Sequence, residues 1–353
     1  MKEFLKRHFF RATNNTVASH LLKSCSLGPK VIFYHGVEKD IKDSFVQSLH
    51  MPLKNFEEQI LFLKKEYEIV SVDDLKGAIT GNYKLDKKHI VLTFDDGYKN
   101  NLEIVSPLLK SLNVPFSVFL STHHINSGER FPTFLLRAFL TEANTPSINF
   151  KSINKTFSIA SEEELLEANK QISYFLKTSP QDKVNEIVKE IKDAFSADQW
   201  SEIYFKYSSD EPMNWSNVTE LKKYGAIIGS HCHDHFISNP KQKLIDLSHQ
   251  LKHSQDLVQK NCGSCDYFCF PNGLPEDISS EAYLTAQKIY KLCFTTIAGE
   301  VSRGSDKNYL PRIAATPNIE HFKYRVNSGF MNNGNYNKKY KKISNSSNGL
   351  NYL

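Results

Sequence analysis

Short apolar runs that stop at a polar residue and a turn recur along the chain, separated by segments with helical spacing. The first is Lys30–Val37, where Val31-Ile32-Phe33-Tyr34 leads into His35-Gly36. Apolar residues then fall at helical intervals from Asn55 to Tyr67 (Phe56, Ile60, Leu61, Leu63), and a short strand begins at Ile69. Val91-Leu92-Thr93-Phe94 repeats the strand grammar and ends in Asp95-Asp96-Gly97. Leu102–Leu112 reads as a helix and Val114–Ser121 as a strand. Further on come a helix at Val218–Tyr224, a strand at Gly225–His231, a helix at Leu244–Asn261 and a strand with its turn at Asp266–Gly273. Ser280–Tyr290 is helical, and Lys291–Ile297 and Tyr309–Ile313 are strand-like. Short apolar runs bounded by turn residues suit strands buried on both faces, and strands alternating with helices are most simply parallel. Roughly seven or eight such strands is the number at which a parallel sheet closes into a barrel, with its functional strand ends on one face.

The texture changes between about 127 and 211. Phe134–Leu140, Glu162–Leu176 and Asp182–Phe195 are helical and few runs are strand-like, so a helical insertion on one rim is expected. The expected domain is 30–330, preceded by an N-terminal helical segment (1–29) and followed by a flexible polar tail (331–353) of Asn, Lys, Ser, Tyr and Gly. Phe4, Leu5, Phe9, Val17, Leu21 and Leu22 could line one face of the N-terminal helices. That face is expected to pack under the domain; resting on a membrane surface is the lesser alternative.

With 353 residues, 40% of them hydrophobic and 24% charged, the chain is an ordinary globular one. Its net charge of +5 is small and partly owed to Lys338, Lys339, Lys341 and Lys342, so no nucleic-acid partner is expected. The basic N-terminus never reaches the apolar stretch of a secretory signal, and no apolar run is long enough to cross a bilayer. A cytoplasmic protein is expected. Its six cysteines are then free thiols. Cys262-Gly263-Ser264-Cys265 has redox or zinc spacing but no second pair to complete a thiolate site.

Two adjacent carboxylates repel, so Asp95 and Asp96 at a strand end make sense only if a cation or a shared proton separates their roles; one could hold a metal while the other takes a proton. A solvated Asp-Asp-Gly turn is the bland alternative. His231-Cys232-His233-Asp234-His235 weighs against it. His231 and His235, four apart at the start of an expected helical turn, would point at one centre, and an Asp from a neighbouring strand end completes a two-His, one-carboxylate site with an open position. His233 is expected to face elsewhere.

These residues resemble the polysaccharide deacetylases, carbohydrate esterase family 4 with its NodB-type domain. Thr93-Phe94-Asp95-Asp96-Gly97 is similar to the family's first motif and Gly229-Ser230-His231 through His235 to its second. Phe268-Cys269-Phe270-Pro271-Asn272-Gly273 is similar to its substrate-groove motif, and Leu310-Pro311-Arg312-Ile313 to a late strand. The resemblance implies an α/β fold, a distorted (β/α)7-type barrel with a helical insertion. It implies that Asp96, His231 and His235 hold a divalent metal, most often zinc, and that Asp95 is the general base. Asn272, flanked by Pro271 and Gly273, would bind substrate and stabilise the oxyanion through its backbone N–H. Tyr34-His35-Gly36 resembles a permuted subgroup that carries the general acid on the first strand, which makes His35 the acid; His321 is the weaker candidate. The chain departs from the family where Cys269 stands in place of an arginine that would hold the base, and Arg312 is the candidate to replace it.

The function so implied is removal of an N-acetyl group from an amino sugar. In a cytoplasmic setting the substrate is expected to be a lipid-linked or nucleotide-linked precursor of a surface glycan, with the insertion covering the mouth and recognising the carrier. The alternatives are a deformylase acting on a carrier-linked amino sugar, a catalytically silent glycan-binding domain, and a redox protein using Cys262 and Cys265, which requires a depressed thiol pKa.

Overall fold

The computed structural model describes residues 9–332 apart from positions 12, 15, 27, 82, 83 and 303. Phe4 and Leu5 of the N-terminal segment, and the expected tail from position 333 onward, lie outside the described residues.

Seven strands run in parallel: Lys30–Tyr34 (β1), His89–Phe94 (β2), Ser117–Leu120 (β3), Ile227–Ser230 (β4), Tyr267–Cys269 (β5), Leu292–Phe294 (β6) and Ile313–Ala314 (β7). Their order across the sheet is β6-β5-β4-β3-β2-β1-β7, and Glu68–Val70 adds an eighth strand beside the first half of β2. The two edges of this path meet. Leu310 bridges Phe294 of β6 in parallel, while Ile313 and Ala314 pair with Ile32 and Phe33 of β1. One segment thus hydrogen-bonds to both the first and the last strand and curls the sheet into a barrel with helices around it, including Leu53–Glu66, Trp215–Lys223, Leu244–Cys262 and Ser280–Ile289.

Strand alternation sorts the side chains. Ile32, Tyr34, Ile90, Leu92, Phe94, Val118 and Leu120 face outward and pack with Phe56, Ile60, Leu63, Val105 and Leu109 of the helices. Val31, Val91, Phe119, Tyr267, Cys269, Leu292, Phe294 and Leu310 fill the inside. The register of β1 on β2, Val31 opposite Val91 and Phe33 opposite Thr93, carries the inward row up to the rim, where the next inward position is Asp95.

The insertion has a hydrophobic core of its own, built from Phe134, Leu136, Ile172, Ile187, Ile191 and Trp200 among others. Its helices Glu162–Thr178 and Ala197–Lys206 each start in a capping box, at Ser161 and Ser196. It is less purely helical than its sequence suggests, because Ser147–Phe150 and Lys155–Ser158 form an antiparallel hairpin. Those strands are four residues each and largely exposed outside Ile148, Phe150 and Phe157, too short and polar to stand out from their helical surroundings.

Of the N-terminal apolar face expected to pack under the domain, Leu22 is half-buried and Phe9 meets the Tyr324 ring edge-on at 5.6 Å, while Val17 and Leu21 point to solvent. Phe9, Val17 and Leu21 are 53%, 70% and 61% exposed. The segment docks through further contacts. Phe10 stacks on His321 at 4.5 Å, Asn14 Nδ2 donates to the Glu320 carbonyl at 2.7 Å, and Asn327 Nδ2 donates to Ser19 Oγ at 3.1 Å. Among the described residues no helix is long and apolar enough to cross a membrane.

Gly229 in β4 sits where the barrel interior leaves no room for a side chain. A Cβ there would lie 2.6 Å from the Phe119 ring and 2.8 Å from the Tyr267 carbonyl oxygen. Gly229→Ala is expected to lower stability by about 1–3 kcal/mol through overpacking, read as a fall in the urea unfolding midpoint without a change in slope.

Candidate active site and metal centre

Asp95 and Asp96 follow β2 directly. In a continuing strand they would face opposite sides of the sheet, one into the barrel and one out to the helices. Asp96 has φ of 75° and Gly97 of 88°, so the chain leaves the strand at once and both carboxylates line the same cavity. Asp tolerates this left-handed conformation better than most residues. A side chain at Gly97 would be strained by that φ and would meet Leu120 Cδ2 at 2.8 Å.

His231 and His235 reach the same point from the loop after β4. The expected helical turn is not there: residues 231–235 are a loop in which Cys232 and His235 have φ of 64° and 51°. A helical turn would leave the loop's carbonyls to their own helix, whereas here neighbouring elements take them. The Cys232 carbonyl accepts from Thr122 N–H at 3.2 Å and from Ser254 Oγ at 3.0 Å, and the His233 carbonyl accepts from His123 N–H at 2.8 Å. The convergence of the two imidazoles survives this change. Nε2 of each lies 3.4 Å from Asp96 Oδ1.

The donor set fits a divalent metal. Asp96 Oδ1 is buried and makes no hydrogen bond. His231 Nδ1 donates to the Cys269 carbonyl at 2.8 Å, so in the neutral ring Nε2 presents its lone pair to Asp96. One ligand atom from each residue lies within 4.8 Å of the others, an arrangement that suits a cation. Burial opposes ionisation of Asp96, but the two imidazoles outweigh it and hold the carboxyl well below the usual range.

Asp95 faces inward to a different partner. Arg312 Nη1 donates to Asp95 Oδ1 at 2.8 Å and Nη2 to Oδ2 at 2.7 Å, a two-pronged pair with both side chains buried. The remaining guanidinium donors are also used. Nε donates to the Thr295 carbonyl at 2.9 Å, Nη1 also to Thr93 Oγ1 at 3.2 Å, and Nη2 also to Cys269 Sγ at 2.6 Å, while the plane lies 4.3 Å from the Phe33 ring centroid. Burial alone would raise the Asp95 pKa, yet Arg312 outweighs it and keeps the carboxylate below its ordinary range. Cys269 cannot be the counter-charge, since a thiol never carries positive charge; burial pushes its pKa well above the ordinary value, so it adds no negative charge beside Asp95 either. Its small side chain leaves room on the inner face for the guanidinium from the segment before β7.

His35, at the end of β1, lines the same cavity, and Asn101 Nδ2 fixes its backbone carbonyl at 2.8 Å. Burial lowers its pKa, partly offset by Asp96 and Asp95. Asn272 lines the cavity with φ of 58°, and its amide donates to Asp277 Oδ2. Pro271 and Gly273 are buried and shape the turn behind it. His321 is stacked on Phe10 and does not line the cavity. The cavity has a volume of about 990 Å³, and the insertion supplies much of one wall, including Phe131, Arg137, Lys155, Lys170, Tyr174 and Lys177.

The redox reading does not fit: burial raises the pKa of both Cys262 and Cys265, and all six cysteines are free. Several site residues carry no sequence signal. Phe33, Thr93 and Thr295 seat Arg312, Asn101 anchors His35, and Tyr98 is fully buried beside Asp96. Only the strand parity of Phe33 and Thr93, which share the inner face with Asp95, could have pointed to any of them.

Arg312→Ala would leave Asp95 buried without a counter-charge, and a loss of about 3–5 kcal/mol is expected in chemical denaturation. Arg312→Lys keeps the charge but not the fork and should lose less. Cys269→Ser should leave stability within about 1 kcal/mol of wild type.

The polysaccharide deacetylase family matches residues 82–158 of the chain. The chain is 33% identical over 85 residues to the poly-beta-1,6-N-acetyl-D-glucosamine N-deacetylase of Escherichia coli (strain K12), a stretch covering 24% of this chain and 12% of that protein. It spans 30% or less of the length of the curated relatives it matches. Two solved structures share the fold over most of the chain. The Streptococcus pyogenes deacetylase PplD in complex with acetate has a TM-score of 0.55 at 15% identity, covering 85% of this chain and 98% of its own. IcaB from Ammonifex degensii has a TM-score of 0.54 at 14% identity, covering 86% and 97%. Over residues 82–158 the chain is thus similar in sequence to the polysaccharide deacetylase family, and its barrel has the fold of PplD and IcaB.

Proposed function

We propose that the chain is a metal-dependent amide hydrolase that removes the N-acetyl group from an amino sugar of a glycan or glycan precursor. The observation that carries this reading is the division of labour between adjacent carboxylates. Asp96 is matched with two imidazoles, while Asp95 is held ionised by Arg312 and left with the cavity in front of it. Asp96, His231 and His235 would hold the ion, with zinc the first choice for two imidazoles and a carboxylate; when bound it supplies Lewis-acid polarisation of the amide carbonyl and of water.

The other steps fall to the chain's own residues. Asp95 takes the proton of the attacking water, whose oxygen bonds to the carbonyl carbon. The backbone N–H of Asn272 donates to the oxygen on which negative charge develops. His35 gives a proton to the sugar nitrogen as the C–N bond breaks, so that acetate and a free amine leave. Burial lowers the His35 pKa, which makes its imidazolium a strong donor, and Asp96 and Asp95 offset part of the cost of forming it.

A finer reading is an amino sugar attached to an anionic carrier or bearing an acidic group. Arg137, Lys155, Lys170 and Lys177 line the cavity from the insertion side, where an anion would be drawn. N-formyl in place of N-acetyl requires the same chemistry and is resolved by the acid released.

The test is release of acetate or formate from N-acylated amino sugars, free, nucleotide-linked, lipid-linked and polymeric. Wild type should turn over at least one class. Chelation should abolish turnover and zinc should restore it. Asp95→Asn should lose about 10²–10⁴-fold while still binding metal. A folded, metal-loaded protein that binds a glycan and releases no acid from any of them would instead be a binding domain.

A further inference from the structure

The loop that brings two imidazoles to Asp96 also carries His233 and Asp234, of which Asp234 touches the rim of the same cavity. His231 and His235 converge on the catalytic side, whereas His233 and Asp234 turn toward His123 in the helix Thr122–Ser127. One ligand atom from each of His123, His233 and Asp234 lies within 4.8 Å of the others, the same criterion that the Asp96 set meets. Asp234 Oδ1 is the common point, 3.6 Å from His123 Nδ1 and 3.8 Å from His233 Nε2. Both separations exceed a hydrogen bond, while ligands about 2.0–2.2 Å from a shared ion would be spaced in this range.

Each member is held from behind, as ligands are. His233 Nδ1 lies 2.8 Å from Thr122 Oγ1, and if it donates there, the Nε2 lone pair faces Asp234. Asp234 Oδ2 accepts from Gln250 Nε2 at 2.6 Å, and its backbone N–H donates to Gln250 Oε1 at 2.9 Å, so one buried glutamine clamps the residue twice. Further nitrogen donors stand beside the trio. His253, from the helix Leu244–Cys262, has its ring 4.6 Å from that of His233 and is stacked on His249 at 5.0 Å. A surface ion pair between His123 and Asp234 would explain one of these contacts, but not the approach of His233 to the same oxygen or the packing of two more imidazoles behind it.

We propose that His123, His233 and Asp234 form a second divalent-metal site, separate from the Asp96 centre and suited to a borderline ion such as zinc, nickel or cobalt. The three ligands are partly exposed, which leaves the remaining positions to water or to His253. The site does not depend on the deacetylase reading. It bears on it, because His233 and Asp234 lie between His231 and His235, so an ion there braces from the outside the loop that holds the inner ligands.

The experiment is metal stoichiometry on the full chain, stripped with chelator, dialysed against zinc or cobalt alone and measured by elemental analysis. Wild type should retain two equivalents. Asp96→Ala should retain one, His123→Ala/His233→Ala should retain one, and the triple variant none. In the cobalt form the two single-site proteins should give different visible spectra whose sum is that of wild type. His123→Ala alone, on a helix outside the loop, should weaken the second equivalent by at least about tenfold and leave the first in place, so a folding defect in the loop is not mistaken for loss of a ligand. A single wild-type equivalent that is lost in Asp96→Ala and kept in His123→Ala/His233→Ala, or a second equivalent that survives His123→Ala/His233→Ala, overturns the proposal; a single equivalent lost only in His123→Ala/His233→Ala supports it and counts instead against metal at Asp96.

Discussion

Inside the barrel the Asp95–Arg312 pair is the constraint on which the rest of the site depends. Taking two charges out of water costs several kcal/mol per ion, and their attraction offsets this only when every donor and lone pair is used. The protein meets that condition closely. Arg312 spends its donors on Asp95, Thr93, Thr295 and Cys269 and lays its plane against Phe33. An apolar pair of the same volume would satisfy stability as well. Its retention makes sense through what it does to Asp95, which stays ionised in a place where burial alone would protonate it. The arginine also comes from the segment that bridges β6 and β1, so closing the barrel and seating the base are one structural event.

A second constraint is backbone geometry at the strand ends. Parallel strands deliver every other side chain to the interior, which suits Asp95 and Arg312 but places the intervening residues on the wrong side. Asp96, Cys232, His235 and Asn272 all have positive φ, and all lie just beyond the ends of β2, β4 or β5. Left-handed residues other than glycine are uncommon and cost free energy, and their concentration at one mouth is how the chain turns outward-facing positions into the cavity. The hydrogen bonds that take up the loop carbonyls hold these conformations in place.

That distinction explains what could be read from the sequence and what could not. The strands were legible because each is a short apolar run cut off by a polar residue, and the carboxylate and imidazole ligands were legible because those residue types cluster so tightly in sequence. The conformation of the His231–His235 loop was not, since spacing of four suits a helical turn and nothing local reveals that Thr122, His123 and Ser254 will claim its carbonyls. The hairpin at 147–158 was hidden by the brevity of its strands, and the exposure of Val17 and Leu21 by the fact that an amphipathic pattern does not say which partner, if any, covers it. The contacts of Arg312 join residues more than two hundred positions apart, so only the parity of inward positions hinted at them.

Under the proposed function, the insertion would separate substrate choice from chemistry. Base, ligands and arginine all sit on the barrel strands or the loops that leave them directly, fixed by the inner row of side chains and by the closure at Leu310. The insertion packs around its own apolar core, so its wall of the cavity can change shape or charge without repacking the barrel. What it contributes to that wall is mostly cationic and aromatic, Arg137, Lys155, Lys170 and Lys177 with Phe131 and Tyr174, against the anionic pair on the barrel side. A sugar of the kind proposed, entering between the two, would meet its reaction on one side and its recognition on the other. Positioning of this kind accelerates a reaction by orientation as much as by binding, because an amide held by remote contacts presents its carbonyl to groups that the barrel has already fixed. Under the proposed function the barrel would determine which bond is cut, and the insertion, with its own apolar cluster, whose bond it is.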